Sequence, residues 1–319
     1  MENIEQSRSI YNLIKFLNSK SKPNFKSISK KLGITRQTFQ NKFEKLKQKK
    51  LIKNFTININ PNILPNLSYV ILEIKTNPKE PYLVEELLKI NQLKMLDGIF
   101  GEFSLIALFI FKSSEEFNQT LSKIDYIMAK SYFKKYQLSE VIKVYKTNGI
   151  KLSEKSLNSE LKLDNNDYLI LKILQERQSS KLISTYDMSK LLKIDYNLEM
   201  SQATIYNRIK KLENSNVILN YSINFSPVIV GFTGKFVIRI KPKDPSKYDE
   251  IALKLENNQN ITDLFRIGEQ YGLFAIIRVK KIEDYRQFIK EFYDTQEIED
   301  TFTNFILDEL KPYTNFVLY

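Results

Sequence analysis

TFQNKFEKLKQKKLIKNFTININP, residues 38–61, recurs without a gap as TIYNRIKKLENSNVILNYSINFSP, residues 204–227. The offset is 166 residues throughout, and nine of the 24 positions are identical. They are Thr38/Thr204, Asn41/Asn207, Lys45/Lys211, Leu46/Leu212, Ile52/Ile218, Asn54/Asn220, Ile57/Ile223, Asn58/Asn224 and Pro61/Pro227. At Phe39/Ile205, Phe43/Ile209, Leu51/Val217 and Phe55/Tyr221 apolar or aromatic character is kept. A domain-sized period that occurs twice points to a tandem duplication and not to a solenoid.

Working outward from the first copy, Ile10, Leu13, Ile14 and Leu17 fall at i, i+3, i+4 and i+7, one apolar face of a helix. Ile28 and Leu32 mark a second short helix, Gly33 allows a tight turn, and Thr35 is placed to cap a third helix whose buried stripe is Phe39, Phe43 and Leu46. This is a helix-turn-helix pattern. Residues 51–59 then read as a strand, broken by Asn60-Pro61-Asn62. The rest of the copy reads as strand 69–75, helix 81–90, strands 93–99 and 104–111, helix 115–128 and strand 140–145. The second copy repeats the order with strand 235–241, helix 246–256, strands 261–266 and 273–279, helix 282–293 and strand 301–307. The succession β-α-β-β-α-β is ferredoxin-like. The predicted class is therefore α+β, with two tandem copies of a winged helix-turn-helix followed by a ferredoxin-like domain. The predicted boundaries are 1–62 and 66–147 for the first copy, a polar connector at 148–163, then 164–228 and 232–319 for the second.

Composition narrows the chemistry. A chain of 319 residues that is 42% hydrophobic supports several cores. The longest apolar run, residues 105–111, has the length of a buried strand, and the N-terminus carries polar residues at helical spacing in place of a signal peptide's apolar block. A cytoplasmic location and no membrane partner are expected. With no cysteine and no histidine, the chain lacks disulfides, thiolate ligands and the commonest general base. No metal, no cofactor, no catalytic residue and no enzymatic role are expected on that ground. The net charge is +12, and residues 1–53 carry 14 Lys/Arg against Glu2, Glu5 and Glu44, so that nearly all the excess lies in the first copy's helices. A basic block of this kind suits phosphates.

The segment Ser201-Gln202-Ala203-Thr204-Ile205-Tyr206-Asn207-Arg208-Ile209-Lys210-Lys211-Leu212-Glu213, followed by Val217-Ile218-Leu219-Asn220-Tyr221, resembles the recognition-helix signature of the Lrp/AsnC family. There a serine cap precedes Arg, an aliphatic residue, Leu-Glu and a Val-Ile-x-x-Tyr strand. The first copy keeps the frame with Thr35, Lys42, Phe43 and Leu46, and ends in Leu51-Ile52-Lys53-Asn54-Phe55. It lacks the usual arginines, and the second copy inserts residues 195–199 between its helices. The resemblance implies a transcription regulator that binds double-stranded DNA. It also implies a ferredoxin-like domain that mediates self-association, here within the chain and between chains, and that senses a small molecule such as an amino acid.

On the first recognition helix, Arg36, Gln37, Thr38, Gln40, Asn41, Lys42 and Lys45, behind the Thr35 cap, are the candidate DNA-reading residues. Gln and Asn pair with adenine edges, and Arg and Lys with guanine or phosphate. Their counterparts are Ser201, Gln202, Thr204, Tyr206, Asn207, Arg208 and Lys211. The second copy's claim is weaker, because residues 161–222 carry nine Lys/Arg against seven Asp/Glu. Gly101-Glu102-Phe103-Ser104 and Gly268-Glu269 resemble the family's loop before the third strand, which makes Gly101, Glu102, Ser104, Gly268 and Glu269 candidate effector contacts. The simpler reading of these glycines, and the preferred one, is that they turn one strand into the next. Two other functions stay open. One is a tetrapyrrole (sirohaem) decarboxylase of the same family, disfavoured by the missing histidine. The other is a sensing or interaction module without DNA binding.

Overall fold

The computed structural model describes residues 2–63, 67–155, 157, 161–178 and 182–318, with side chains from residue 9 onward. In chain order the elements as far as residue 151 are α1 (Glu2–Leu17), α2 (Phe25–Lys31), α3 (Arg36–Gln48), β1 (Ile52–Ile59), β2 (Ser68–Lys75), α4 (Pro81–Leu88), β3 (Leu93–Ile99), β4 (Leu105–Phe111), α5 (Ser114–Ala129), β5 (Lys135–Thr147) and β6 (Ile150–Lys151). They continue with α6 (Asn165–Glu176), α7 (Thr185–Tyr196), α8 (Gln202–Asn214), β7 (Ile218–Phe225), β8 (Gly234–Pro242), α9 (Tyr248–Leu255), β9 (Ile261–Ile267), β10 (Leu273–Val279), α10 (Ile282–Asp294) and β11 (Ile298–Lys311). The architecture is mixed α and β. No described helix is long and apolar enough to cross a membrane.

The chain divides into two compact units, and neither is continuous in sequence. The first comprises Met1–Asn60, Leu152–Gly231 and Thr314–Tyr319. Its helices start where side chains satisfy free amides: Asn24 accepts from Lys26 and Ser27, Thr35 from Thr38, and Ser201 from Thr204. Gly33, at φ +66°, makes the turn between α2 and α3. Behind α3, the rings of Phe25, Phe39, Phe43 and Phe55 pack with centroids 5.1–6.2 Å apart. Ile205, Leu212 and Tyr221 occupy the matching positions behind α8, and the Tyr221 hydroxyl donates to Glu213 at 2.8 Å.

The strands that carry the repeat pair with each other. β1 and β7 run antiparallel with Thr56 opposite Ser222, its own counterpart in the repeat. Asn58 Nδ2 donates to Asn220 Oδ1 at 2.8 Å, and Asn224 Nδ2 donates to Asn54 Oδ1 at 3.1 Å. These two bonds exchange under the 166-residue offset, so a local two-fold relation passes between Thr56 and Ser222. The end of the chain completes the ladder. Asn315 Nδ2 donates to Asn58 Oδ1 at 2.6 Å, the Asn315 carbonyl accepts from Asn58 Nδ2 and from Ser222 Oγ, and Phe316 lies 4.9 Å from Phe225. Residues 314–318 therefore leave the ferredoxin-like domain predicted to hold them (232–319), because the buried Asn58 and Ser222 need their hydrogen bonds. Residue 319 lies outside the described residues.

The second unit comprises Pro61–Lys151 and Phe232–Tyr313. Its strands hydrogen-bond in the order β2-β4-β3-β11-β8-β10-β9-β5, and β5 returns to β2, closing a ring of eight with β6 as a short appendage. Val70, Leu72 and Ile74 pack in one apolar cluster with Leu83, Leu87 and Ile124 from α4 and α5. Phe236, Ile238 and Ile240 do the same with Ile251, Leu255 and Phe288 from α9 and α10. Strand alternation then turns Tyr69, Ile71, Glu73, Lys235, Val237 and Arg239 to the opposite face, the inside of the ring. β5 and β11 are longer than predicted because each is shared: β5 pairs first with β2 and then with β9, and β11 first with β8 and then with β3. Asn148 and Gly149, both at positive φ, turn β5 into β6, so the predicted connector at 148–163 begins inside this sheet. Its residues 156 and 158–160, and the predicted domain boundary at residue 66, lie outside the described residues.

Replacing Asn58 by Ala removes the donor to Asn220 and to the Asn315 carbonyl in a buried site, and is expected to cost about 2–3 kcal/mol in urea unfolding. Asn54→Ala, at a half-buried position, is expected to cost about 1 kcal/mol.

Candidate nucleic-acid interface

Two helices, α3 and α8, carry the residues expected to read DNA, and their cations are treated differently by the fold. On α3, Arg36, Gln37, Thr38, Asn41, Lys42 and Lys45 are exposed and Gln40 is half-buried. Gln37 Nε2 donates to Asn41 Oδ1 at 3.1 Å, Lys42 Nζ donates to Ser9 Oγ at 3.2 Å, and Thr35 is held in its capping role with Thr38. Among the described residues, no carboxylate forms an ion pair with Arg36, Lys42 or Lys45. The surface is thus a row of amide and cationic side chains with free hydrogen-bonding capacity, the chemistry that reads base edges and phosphates.

On α8 the outer row is uncharged, with Ser201, Gln202, Thr204, Tyr206 and Asn207 exposed. Its cations are held by carboxylates of the same unit. Arg208 Nη1 donates to both Asp164 and Asp167 at 2.8 Å. Lys211 Nζ lies 3.3 Å from Asp167 and donates to the Lys162 carbonyl at 3.0 Å, and Lys210 pairs with Glu213 at 2.6 Å. The inserted segment adds two more pairs, Arg177–Asp195 at 2.5 Å and Lys193–Glu199 at 2.6 Å. Asp164 caps α6, and with Asp167 it forms a reciprocal capping box. The Asp167 amide, and after it the Arg208 side chain, hold the Asp164 carboxyl below the usual carboxylate range against the opposing effect of burial. Arg208 and Lys211, placed by the sequence on the reading face, are therefore engaged in fastening α8 to α6. The Asp-x-x-Asp spacing before an apolar helix was the available signal. It reads as a helix start, and only the fold shows which arginine it also receives.

The five effector candidates fall into two loops of the second unit that come towards one buried ion pair. Arg239 Nη2 lies 2.5 Å from Glu73, and Arg239 Nε lies 3.5 Å from Glu269. Burial raises the Glu73 carboxyl above its usual range, Arg239 opposes this, and the charges of Glu269 and Glu102 add to the rise. Gly101, at φ +145°, packs beside Asn304. Other candidates are already engaged: the Gly268 amide donates to the Glu140 carbonyl at 3.1 Å, Ser104 Oγ accepts from the Thr76 amide at 2.7 Å, and Glu102 pairs with Lys135 at 2.6 Å.

Arg208→Ala is expected to destabilise the protein by about 2–3 kcal/mol, because the fully buried Asp167 loses the nearer of its two cationic partners and keeps only Lys211, whereas Arg36→Ala should lie within about 0.5 kcal/mol of the parent. The share contributed through Asp164, whose folded carboxyl is shifted down, is present at neutral pH and is lost as pH falls through its folded titration. Urea midpoints of both variants at neutral and acid pH check the size and the sign.

Residues 235–316 match the family described as the Lrp/AsnC ligand binding domain. The chain is 30% identical over 152 residues to the HTH-type transcriptional regulator FL11 of Pyrococcus abyssi, an alignment covering 48% of this chain and 94% of that protein. It is 31% identical over 117 residues to the HTH-type transcriptional regulator Ptr1 of Methanocaldococcus jannaschii, covering 35% of this chain and 76% of that one. The fold resembles the crystal structure of the siroheme decarboxylase NirDL with a TM-score of 0.64 at 13% identity, over 98% of this chain and 94% of that chain. That likeness corrects the expectation, drawn from the missing histidine and cysteine, that the chain has no enzymatic role. A fold matching it nearly end to end belongs to an enzyme, so the architecture is one that is compatible with catalysis. By its relatives' sequences, the chain belongs to the Lrp/AsnC family of HTH-type transcriptional regulators.

Proposed function

We propose that the protein is a sequence-specific, double-stranded DNA-binding transcription regulator. In this reading it is a tandem duplication of a winged helix-turn-helix and a ferredoxin-like domain, folded as a dimer-like pair within one chain. The observation that supports it most is the contrast between the two reading helices. α3 exposes Arg36, Gln37, Asn41 and Lys45, with no carboxylate ion-paired to Arg36 or Lys45 among the described residues, while the cations of α8 are paired with carboxylates of the same unit. α3 anchors the chain through phosphates and reads bases, and α8 adds neutral contacts through Gln202, Thr204, Tyr206 and Asn207. The binding site need not be palindromic, since the two helices differ. The loops at Gly101, Glu102 and Ser104 and at Gly268 and Glu269 are assigned to a small effector such as an amino acid.

Selection of bound genomic fragments by the purified protein should return an asymmetric motif, with a log-log salt slope of about −4 to −5 for about five phosphates. Arg36→Ala and Asn41→Ala should each weaken binding by about tenfold and relax base preference, and Gln202→Ala and Asn207→Ala should act less. No selected motif together with salt-independent binding would remove this reading. The NirDL-like fold favours a second one, recognition of a tetrapyrrole carboxylate. A saturable change in the visible spectrum of an added iron uroporphyrin would support it, and an unchanged spectrum would eliminate it.

A further inference from the structure

The inside of the eight-stranded ring is charged, and its charges do not obey the two-fold relation that its strands obey. β2, read as SYVILEIK, and β8, which begins GKFVIRIK, are counterparts at the same 166-residue offset, so Glu73 corresponds to Arg239 and Tyr69 to Lys235. Glu73 and Arg239 touch at 2.5 Å with side-chain exposures of 7% and 5%. Counterpart residues that touch lie where the two halves meet at the centre of their relation. In a pairing of two identical halves each would face its own copy. Two first halves would bury Glu73 against Glu73, and two second halves would bury Arg239 against Arg239.

The seams between the halves, β3 with β11 and β9 with β5, show the same mismatch independently. Across the first seam Lys235 Nζ lies 2.5 Å from Asp97; within the second half it lies 3.3 Å from Glu309, which also takes a two-pronged bond from Arg278 at 2.6 and 2.9 Å. The ladder registers identify what stands at the corresponding place in the other seam. Asp97 lies opposite Ile106 and Phe265 opposite Phe274, while Ile106 and Phe274 lie opposite Glu73 and Arg239. Asp97 therefore corresponds to Phe265, and the counterpart of the contact Lys235–Asp97 is the ring pair Tyr69–Phe265, with centroids 6.2 Å apart. Pairing two first halves would set Tyr69 against Asp97, leaving that buried carboxylate without its ammonium partner. Buried unpaired or like charges are among the costliest defects a core can hold.

We infer that the two halves of the ring are complementary to each other and incompatible with copies of themselves, so that a first half accepts only a second half as its partner. The discrimination resides in the ring. The β1–β7 ladder is indifferent to it, because Asn54 and Asn58 and their counterparts Asn220 and Asn224 are the same residue type and would pair equally well with a copy. Two molecules of this protein associate through the ring only by exchanging a first half for a first half. The inference rests on the duplication and not on DNA binding, and its test reads mass and unfolding, so its failure would leave the DNA experiments untouched.

The test uses full-length chains. Glu73→Arg and Arg239→Glu each set like charges at the centre of the ring, and each alone is expected to lower the thermal midpoint by about 10 °C or to yield insoluble protein. Co-expressed, with an affinity tag on one chain, the two variants should be recovered as a 1:1 complex in which each chain's first half pairs with the other's second half and opposite charges meet again. The double variant in one chain, Glu73→Arg with Arg239→Glu, should regain the parent's mass and most of its midpoint. Recovery in either arrangement supports the inference. Recovery in neither, or single variants as stable as the parent, overturns it.

Discussion

The interaction on which the first unit depends is the pairing of one strand with its own repeat. A strand that follows three small helices presents a free row of amides and carbonyls on its edge, which it must cover or leave as a site of aggregation. Here β1 is covered by β7, register fixed by Thr56 opposite Ser222 and by two reciprocal asparagine bonds. The cover is supplied from the same chain 166 residues later, so it comes at high effective concentration. The ring of the second unit solves the same problem more completely. By lending the far ends of β5 and β11 to the opposite half, eight strands close with no edge among them.

Because backbone hydrogen bonding is blind to side chains, this closure holds a two-fold relation in the strands while the residues on them differ. The differences fall in two places with different chemistry. On the exposed helices, Arg36 and Lys45 of α3 have no carboxylate ion-pair partner among the described residues, whereas Arg208 of α8 pairs with Asp164 and Asp167, and Lys210 with Glu213. Inside the ring, charges of opposite sign have been placed on opposite halves, where water cannot screen them. A homodimer has one sequence for both halves and can do neither.

Family membership and fold speak to different questions. The relatives at about 30% identity are named as transcriptional regulators, while the fold that matches the chain nearly end to end is that of a decarboxylase. A fold does not by itself fix a function, so function has to be argued from the side chains presented by the surfaces and interior. Here α3 presents Arg36, Gln37, Asn41 and Lys45 with no carboxylate ion-paired to Arg36 or Lys45 among the described residues.

Local order was legible in the sequence alone. The caps at Thr35 and Ser201, the Phe39-Phe43-Leu46 stripe and the succession of strands and helices follow from interactions over three or four residues or from strand alternation, which a linear pattern records directly. The repeat itself was legible for the same reason. Tertiary structure decided whatever depended on a partner far away in the chain. It set the length of β5 and β11, whose ends pair across halves, and it drew Asn315 and Phe316 to the first unit, where Asn58 and Ser222 lacked donors and acceptors. It settled the engagement of Arg208, 44 residues from Asp164. It also brought Glu73 against Arg239, where two residues that correspond in sequence must meet in space and so must differ in charge.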